Sequence, residues 1–407
     1  MGIEMPLFTI FVARMASPEI HLAAWGSVVF PVSLLVEGPV IMLLAAGTAL
    51  ATDGEALRRL RRWTLVLCIG LTGLHVLLAF TPLFDLLAQQ WIGIPKEVQE
   101  PARIGLQIMT PWTASIAWRR LHQGVLIRLE SARAIALGTA LRLGVLLAIF
   151  LLGRALTPWT GIVLGAFAVA VAVLVEAVFV HGVARVAIRE HLPQRSDKEP
   201  PTLRSFLYFY IPLALTPLLT LLIQPAGSAA MARLPLPLLS LAAWPAVHGL
   251  VFLLRSTGFA FHEVVVALAG QPGAQVALGR FAGILALITS GLLLFLGATP
   301  AGTWWFGTVS GLSPELANTA ATAALFAVPM PAWQAAQSLY SGRLVYARHT
   351  RPIPEAVLIY IILAFAGFFL LASQIQPKPG IYGILPVLVA AGFVQTMYLA
   401  WRSRRYS

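Results

Sequence analysis

Arg119, Arg120, Arg142 and Arg255 lie well inside long apolar stretches of this chain, and so do Glu37, Glu176, His122 and His248. A charged side chain at the centre of a membrane-crossing helix costs about 2.5–3.5 kcal/mol on insertion scales, so such groups face a wet cavity or a partner rather than lipid. Counting helical rise from the nearest basic loop puts Arg119, Arg120 and Arg142 roughly 12 Å deep, Arg255 roughly 16 Å and Glu37 roughly 20 Å. Four guanidiniums in a similar layer, opposed by Glu37 and Glu176 alone, leave a positive surplus. That surplus selects anions, and arginine's planar fork suits carboxylates and phosphates.

The individual residues carry competing readings. Arg119 and Arg120 point about 100° apart, so only one of them needs to face a cavity. Glu37 precedes Gly38-Pro39, a pair that frees backbone carbonyls and bends a helix, and it reads equally as a coupling-ion site or as an arginine's partner. Glu176 has the same two readings. His248, Arg255 and His262 recur every seven residues with Phe252 and Phe259 beside them, giving one helix face a polar, aromatic-flanked stripe. Histidines there could relay protons. A membrane histidine also commonly bonds a neighbouring helix, which is the competing role for His75, His122, His181 and His248.

Other chemistry finds no support. The sequence has no GxxxxGK[ST], no GxGxxG after a strand, no HExxH and no CxxC, and Cys68 is its single cysteine. No cofactor, metal or enzymatic activity is therefore expected, and transport would draw on an ion gradient or on the substrate's own gradient. The 58% hydrophobic and 11% charged composition excludes a soluble protein, whose charged fraction is about 25%.

The elements that must hold these residues are transmembrane helices. Apolar stretches long enough to span occur near 20–50, 63–90, 102–127, 134–153, 159–183, 205–224, 238–268, 281–300, 315–342, 353–373 and 380–401. Met5 to Ala16 forms a shorter apolar piece, the expected outer end of a truncated first helix. Basic residues divide eighteen to five between alternate loops, which places the C-terminus in the cytoplasm and accounts for the net charge of +12 without nucleic acid. The chain also repeats. Leu22-Ala23-Ala24-Trp25 returns as Leu241-Ala242-Ala243-Trp244, 219 positions later, and Pro111, Leu121, Gly124, Leu126 and Arg133 return as Pro329, Leu339, Gly342, Leu344 and Arg351, 218 positions later.

An even number of helices per repeat keeps both halves in the same orientation. The expectation is an all-α polytopic membrane protein of about 12 transmembrane helices. It divides into a six-helix lobe over 1–190, a cytoplasmic linker over 191–204 and a six-helix lobe over 205–407, related by a parallel pseudo-two-fold axis.

Several short motifs resemble the progressive ankylosis protein family, which is related to the multidrug/oligosaccharidyl-lipid/polysaccharide exporter superfamily. They are Arg14, Gly38-Pro39, Pro111 through Trp118 to His122 and Gly124, Pro212-Leu213-Ala214-Leu215, His248 with Arg255, Pro329 and Pro331 through Gly342, and Gly380, Gly383, Gly392-Phe393 and Arg402. The resemblance implies a V-shaped, multidrug-extruder-like fold and export of small anions such as pyrophosphate, nucleotides or citrate. The departures are the short first helix and a tenth helix without buried charge. Among second-half membrane acids only Glu263 is present, unlike in cation-coupled extruders. The expected partners are a small anionic solute and the bilayer, with the protein acting as a monomer in a bacterial inner membrane. The alternatives on the same fold are a flippase for a lipid-linked anion and a multidrug or toxin extruder. A membrane-embedded enzyme or a non-transporting scaffold is the reading from another class.

Overall fold

The computed structural model describes residues 2–131, 133–194, 199–372 and 378–404. Within the expected linker, Arg195 and Lys198 lie outside the described residues, as does Arg405 near the C-terminus. Among the described residues all regular structure is helical. In chain order the helices are α1 (Glu4–Val12), α2 (Pro18–Ala24), α3 (Phe30–Glu37), α4 (Leu43–Leu50), α5 (Gly54–Phe80), α6 (Leu83–Asp85), α7 (Lys96–Ile108), α8 (Thr110–Arg128), α9 (Arg133–Leu156) and α10 (Gly161–His191). They continue as α11 (Leu203–Leu221), α12 (Ile223–Ala232), α13 (Pro237–Leu268), α14 (Ala274–Ala298), α15 (Pro300–Thr303), α16 (Pro314–Ala327), α17 (Pro329–Tyr346), α18 (Pro352–Ala372) and α19 (Ile381–Ser403).

Nine helical stretches among the described residues are long and apolar enough to cross a membrane, and the chain is a multi-pass membrane protein. The stretches expected at 102–127 and 315–342 are each split, at Met109 and at Val328, just before Pro111 and Pro329. Proline cannot donate to the carbonyl four residues back, so each stretch bends there. At about 1.5 Å per residue the nine-residue α1 is about 14 Å long, too short to cross alone. Helix α5 begins at Gly54, well before the expected 63, and carries Arg58, Arg59, Arg61 and Arg62 in its first turns rather than in a loop. The carboxylate of Asp53 caps it, accepting from the backbone N–H groups of Glu55 at 2.8 Å and Ala56 at 2.9 Å.

By internal contacts the chain falls into two units. One contains Val28–Trp91 and Gln99–Pro225; the other contains Met1–Ser27, Ile92–Val98 and Ala226–Ser407. This grouping differs from the lobes read in the sequence in that 1–27 joins the C-terminal set, whereas 205–225 joins the N-terminal set. The reason is local. The stretch 18–50 is interrupted by a π-helical turn at Trp25–Val29 ahead of Pro31, and 203–232 is interrupted at Leu222, so each stretch has two separately packed parts. Helix α2 packs on α13, and α11 packs on α3. Helix α1 also packs on α13, and the Phe8 ring stacks on Trp25 with centroids 4.1 Å apart.

The repeat read in the sequence recurs as local structure at the same offset of 218. Gly93 and Gly311 both have positive φ, +80° and +78°. Glu130 and Arg348 are left-handed at φ 57° and 59°. Thr81 and Thr299 each accept from the backbone N–H two residues on, both at 3.2 Å, and each leads into a short helix followed by a π-helical turn, Leu86–Ile92 or Trp304–Val309. Backbone choices this specific are not explained by a shared apolar composition.

Close helix contacts recur as well. A Cβ added at Gly124 would lie 2.1 Å from the Leu44 carbonyl oxygen, and one at Gly342 would lie 2.7 Å from the Val265 side chain. Helices α8 and α4 therefore meet backbone to backbone, and the Thr48 hydroxyl donates to the Gly124 carbonyl at 3.1 Å. Gly124→Ala is expected to lower the melting temperature of the purified protein sharply. Gly70→Ala, in open space on α5, is expected to leave it unchanged or to raise it slightly.

Candidate functional site

Helix α8 presents Arg119 and Gln123, one turn apart, on a single face directed at α10. There they meet Glu176. The Arg119 Nη1 donates to Glu176 Oε2, the Arg142 Nε from α9 lies 3.3 Å from the same oxygen, and the Gln123 amide donates to Oε1 at 3.4 Å. Arg119, Arg142 and Glu176 are 1%, 2% and 0% exposed, so solvent does not screen this cluster. A carboxylate shared by two guanidiniums and an amide satisfies the requirement that a buried charge be paired and hydrogen-bonded.

Two further groups complete the cluster without direct pairing. Glu37 is buried at the C-terminal end of α3, where Pro39 forces the tight 3₁₀ turn Gly38–Val40. Its Oε2 has no hydrogen-bond partner among the described residues. It interacts electrostatically with Arg120, Arg119 and Arg142, Arg120 being the strongest influence. Arg120 is half-buried, and its Nε also lacks a protein acceptor. The Tyr210 hydroxyl on α11 donates to the Pro39 carbonyl and holds the interrupted segment that carries Glu37. Three guanidiniums thus stand against two carboxylates inside one unit. Arg119 and Arg142 are tied to Glu176, although Arg119 keeps its Nε and Nη2 without a partner among the described residues, and Arg120 and Glu37 make no ion pair with a described residue.

His122 is engaged elsewhere. Its Nδ1–H donates to the Trp118 carbonyl at 2.8 Å, which leaves Nε2 to accept from the Arg61 Nη2 at 3.2 Å. The His181 ring approaches that same nitrogen at 3.2 Å, edge to face. His75 Nε2 meets the Leu106 carbonyl at 2.8 Å, joining α5 to α7.

Arg255 and His248 belong to the other unit, so the structure does not gather the four expected arginines into one cluster. On α13 the His248 ring stacks between Trp244, at 5.3 Å, and Phe252, at 6.2 Å. The Arg255 Nη2 donates to Gln334 Oε1 at 2.8 Å, and its guanidinium lies over the Phe259 ring at 5.7 Å. Gln334 then donates to the Ser338 hydroxyl at 3.3 Å.

Gln123, Gln334 and Arg61 were not singled out from the sequence. Gln123 had a signal, since it lies one helical turn from Arg119 inside an apolar span. Gln334 had none, because its role depends on the α13–α17 packing. Arg61 has no signal beyond its place in the basic run Arg58 to Arg62 at the edge of an apolar stretch.

The positions 218 residues after Arg119 and Glu176 are Gln337 and Val394. Gln337 ties α17 to α19 as Arg119 ties α8 to α10, donating to Thr396 at 3.0 Å and to the Gly392 carbonyl at 3.3 Å. One repeat makes this interhelical tie with charge, the other with neutral amide and hydroxyl groups.

No protein-family model matches the chain, and no curated protein matches it. Solved structures do. The lipid II flippase MurJ in an inward closed conformation aligns at a TM-score of 0.76 and 13% identity, covering 99% of this chain and 85% of that one. A MOP superfamily transporter from Pyrococcus furiosus, described as having a binding pocket of reversed polarity, aligns at 0.66 and 15% identity over 100% and 95%. An inward-facing multidrug resistance MATE family transporter aligns at 0.64 and 15% identity over 100% and 98%. The chain has the all-α membrane fold of the MOP superfamily transporters.

Removing one member of a buried ion pair strands the other, at a cost of about 3–5 kcal/mol. Glu176→Gln is therefore expected to destabilise the purified protein strongly. The double variant Arg119→Met with Glu176→Gln should lose less than the sum of the single losses, by about 0.5–3 kcal/mol in a thermal or denaturant double-mutant cycle.

Proposed function

We propose that this protein is a secondary active transporter that exports small anions of the pyrophosphate, nucleotide or citrate type by alternating access. The observation that carries the reading is the buried cluster in which Arg119, Arg120 and Arg142 outnumber Glu37 and Glu176, with Arg120 not committed to a carboxylate. A buried positive surplus disfavours cationic drugs and supports anion binding. In this reading Arg119 and Arg142 hold the cluster's shape through Glu176, and Arg120 meets the substrate. Glu37 couples the cycle to an ion or pairs with Arg120 when no substrate is bound. His122 positions Arg61.

The fold similarity supports transport, and the Pyrococcus transporter is itself described as having a binding pocket of reverse polarity. The motifs shared with the progressive ankylosis family support the substrate class, in a two-lobed protein of the bacterial inner membrane with a cytoplasmic C-terminus. A second reading keeps the arginines and makes the cargo a lipid-linked anion. The higher TM-score to the lipid II flippase favours it. A multidrug extruder fits the fold but not the charge.

Proteoliposomes loaded with pyrophosphate, citrate or ATP should release at least one of these anions at a saturable rate. Arg120→Gln should cut that rate at least tenfold while leaving the melting temperature within a few degrees of wild type. Flux of none of these anions, together with transbilayer movement of a lipid-linked phosphate, would favour the second reading. Wild-type flux in the Arg120→Gln protein would remove Arg120 from the substrate site.

A further inference from the structure

A cavity of about 790 Å³ lies between α13 and α14, away from every residue assigned above, and its size is within the range of sites that bury small organic ligands. Phe261, Val264, Leu268, Ala277, Leu278 and Phe281 form its walls. Beside it α14 exposes Val276, Ile284, Leu287 and Ile288, the surface a helix presents to hydrocarbon. The cavity is thus an apolar groove on the membrane side of a helix pair.

Its mouth is polar and basic. Gln271 and Gly273 line it, and Gly273 caps α14 without any side-chain hydrogen bond. The equivalent end of α5 is closed by the Asp53 carboxylate, but 218 positions later the residue is Gln271. The N-terminal N–H groups and partial positive charge of α14 therefore lack the anion that their counterparts on α5 possess. Two cations stand nearby. Arg280, exposed on α14 between the wall residues Ala277 and Phe281, stands about 9 Å along the helix from its first residue, Ala274, on a long side chain of the kind that tilts toward the N-terminus. Arg343 reaches it from α17, donating Nη2 to the Gln275 carbonyl at 3.3 Å. No acidic residue occurs between Glu263 and Glu315.

We propose that this cavity binds an anionic phospholipid, with an acyl chain between α13 and α14 and the headgroup phosphate at the N-terminus of α14 beside Arg280. The site is independent of the transport reading. An apolar slot that ends in an uncapped helix terminus and an exposed guanidinium is complementary to a long chain joined to a phosphate.

The test is native mass spectrometry of the purified full-length protein titrated with phosphatidylglycerol, with phosphatidylcholine of the same chains, and with inorganic phosphate. The wild type should retain one phosphatidylglycerol saturably, with at least fivefold preference over phosphatidylcholine, and inorganic phosphate should not displace it. Arg280→Gln should bring the two lipids close to parity. Ala277→Trp and, independently, Leu268→Trp should reduce retention of both lipids at least fivefold by filling the groove. Equal retention of the two lipids by the wild type would overturn the proposal as non-specific annular lipid. Unchanged binding in both tryptophan variants would overturn the acyl-chain site. Displacement by inorganic phosphate would reduce the site to a bare anion contact.

Discussion

A charge placed inside an apolar helix bundle must be matched there, and in this protein Glu176 does most of the matching. One carboxylate on α10 receives guanidiniums from α8 and α9 and an amide from α8, so three helices are held at a shared buried point. The attraction is strong because water is excluded, and the same exclusion makes the cluster intolerant of losing a member. Arg119 and Arg142 are bound up with Glu176, while Arg120 is the less buried cation and has Glu37 as an acidic neighbour. The clamp thus defines which charged groups remain available for a ligand.

The internal repeat shows what belongs to the scaffold and what has been added to it. Both halves share the positive-φ glycine, the left-handed residue after the proline-initiated helix, the threonine at the end of α5 or α14 and the π-helical turn that follows. Both also tie the same pair of helices with a polar contact, by Arg119 to Glu176 in one half and by Gln337 to Thr396 in the other. At this tie the ionic pair belongs to the first half alone. This asymmetry is why the proposed anion site falls on α8, α9 and the segment around Glu37, whereas the second half carries an aromatic-lined polar stripe around Arg255.

Much of the fold was legible in the sequence because a membrane imposes a simple requirement, about 20 apolar residues per crossing, and because proline marks the bends. The offset of 218 was readable from Pro111 and Pro329 and from Gly124 and Gly342, and the structure carries it down to individual backbone angles. The grouping of helices into units was not readable. It depends on where α2 and α11 pack, which the π-helical turn at Trp25–Val29 and the break at Leu222 decide. Of the site, the charged residues announced themselves by their location. Their partners did not, since Gln334 is an ordinary polar residue until tertiary packing sets it beside Arg255. Depth counted along separate helices also could not separate Arg255 from Arg119, Arg120 and Arg142, because similar depth does not specify which helices are neighbours.

If the first-half arginines form an anion site, equilibrium binding by the purified protein will reveal it. Pyrophosphate, citrate, ATP and a set of cationic drugs would each be titrated while thermal stability is followed, and a ligand at a hundred times its dissociation constant adds about 2.7 kcal/mol to the folded state. The account predicts saturable stabilisation by at least one of the anions, lost in the Arg120→Gln protein, and none by the cations. Stabilisation by cationic drugs alone, unaffected by that substitution, would contradict it and make the arginine cluster purely architectural.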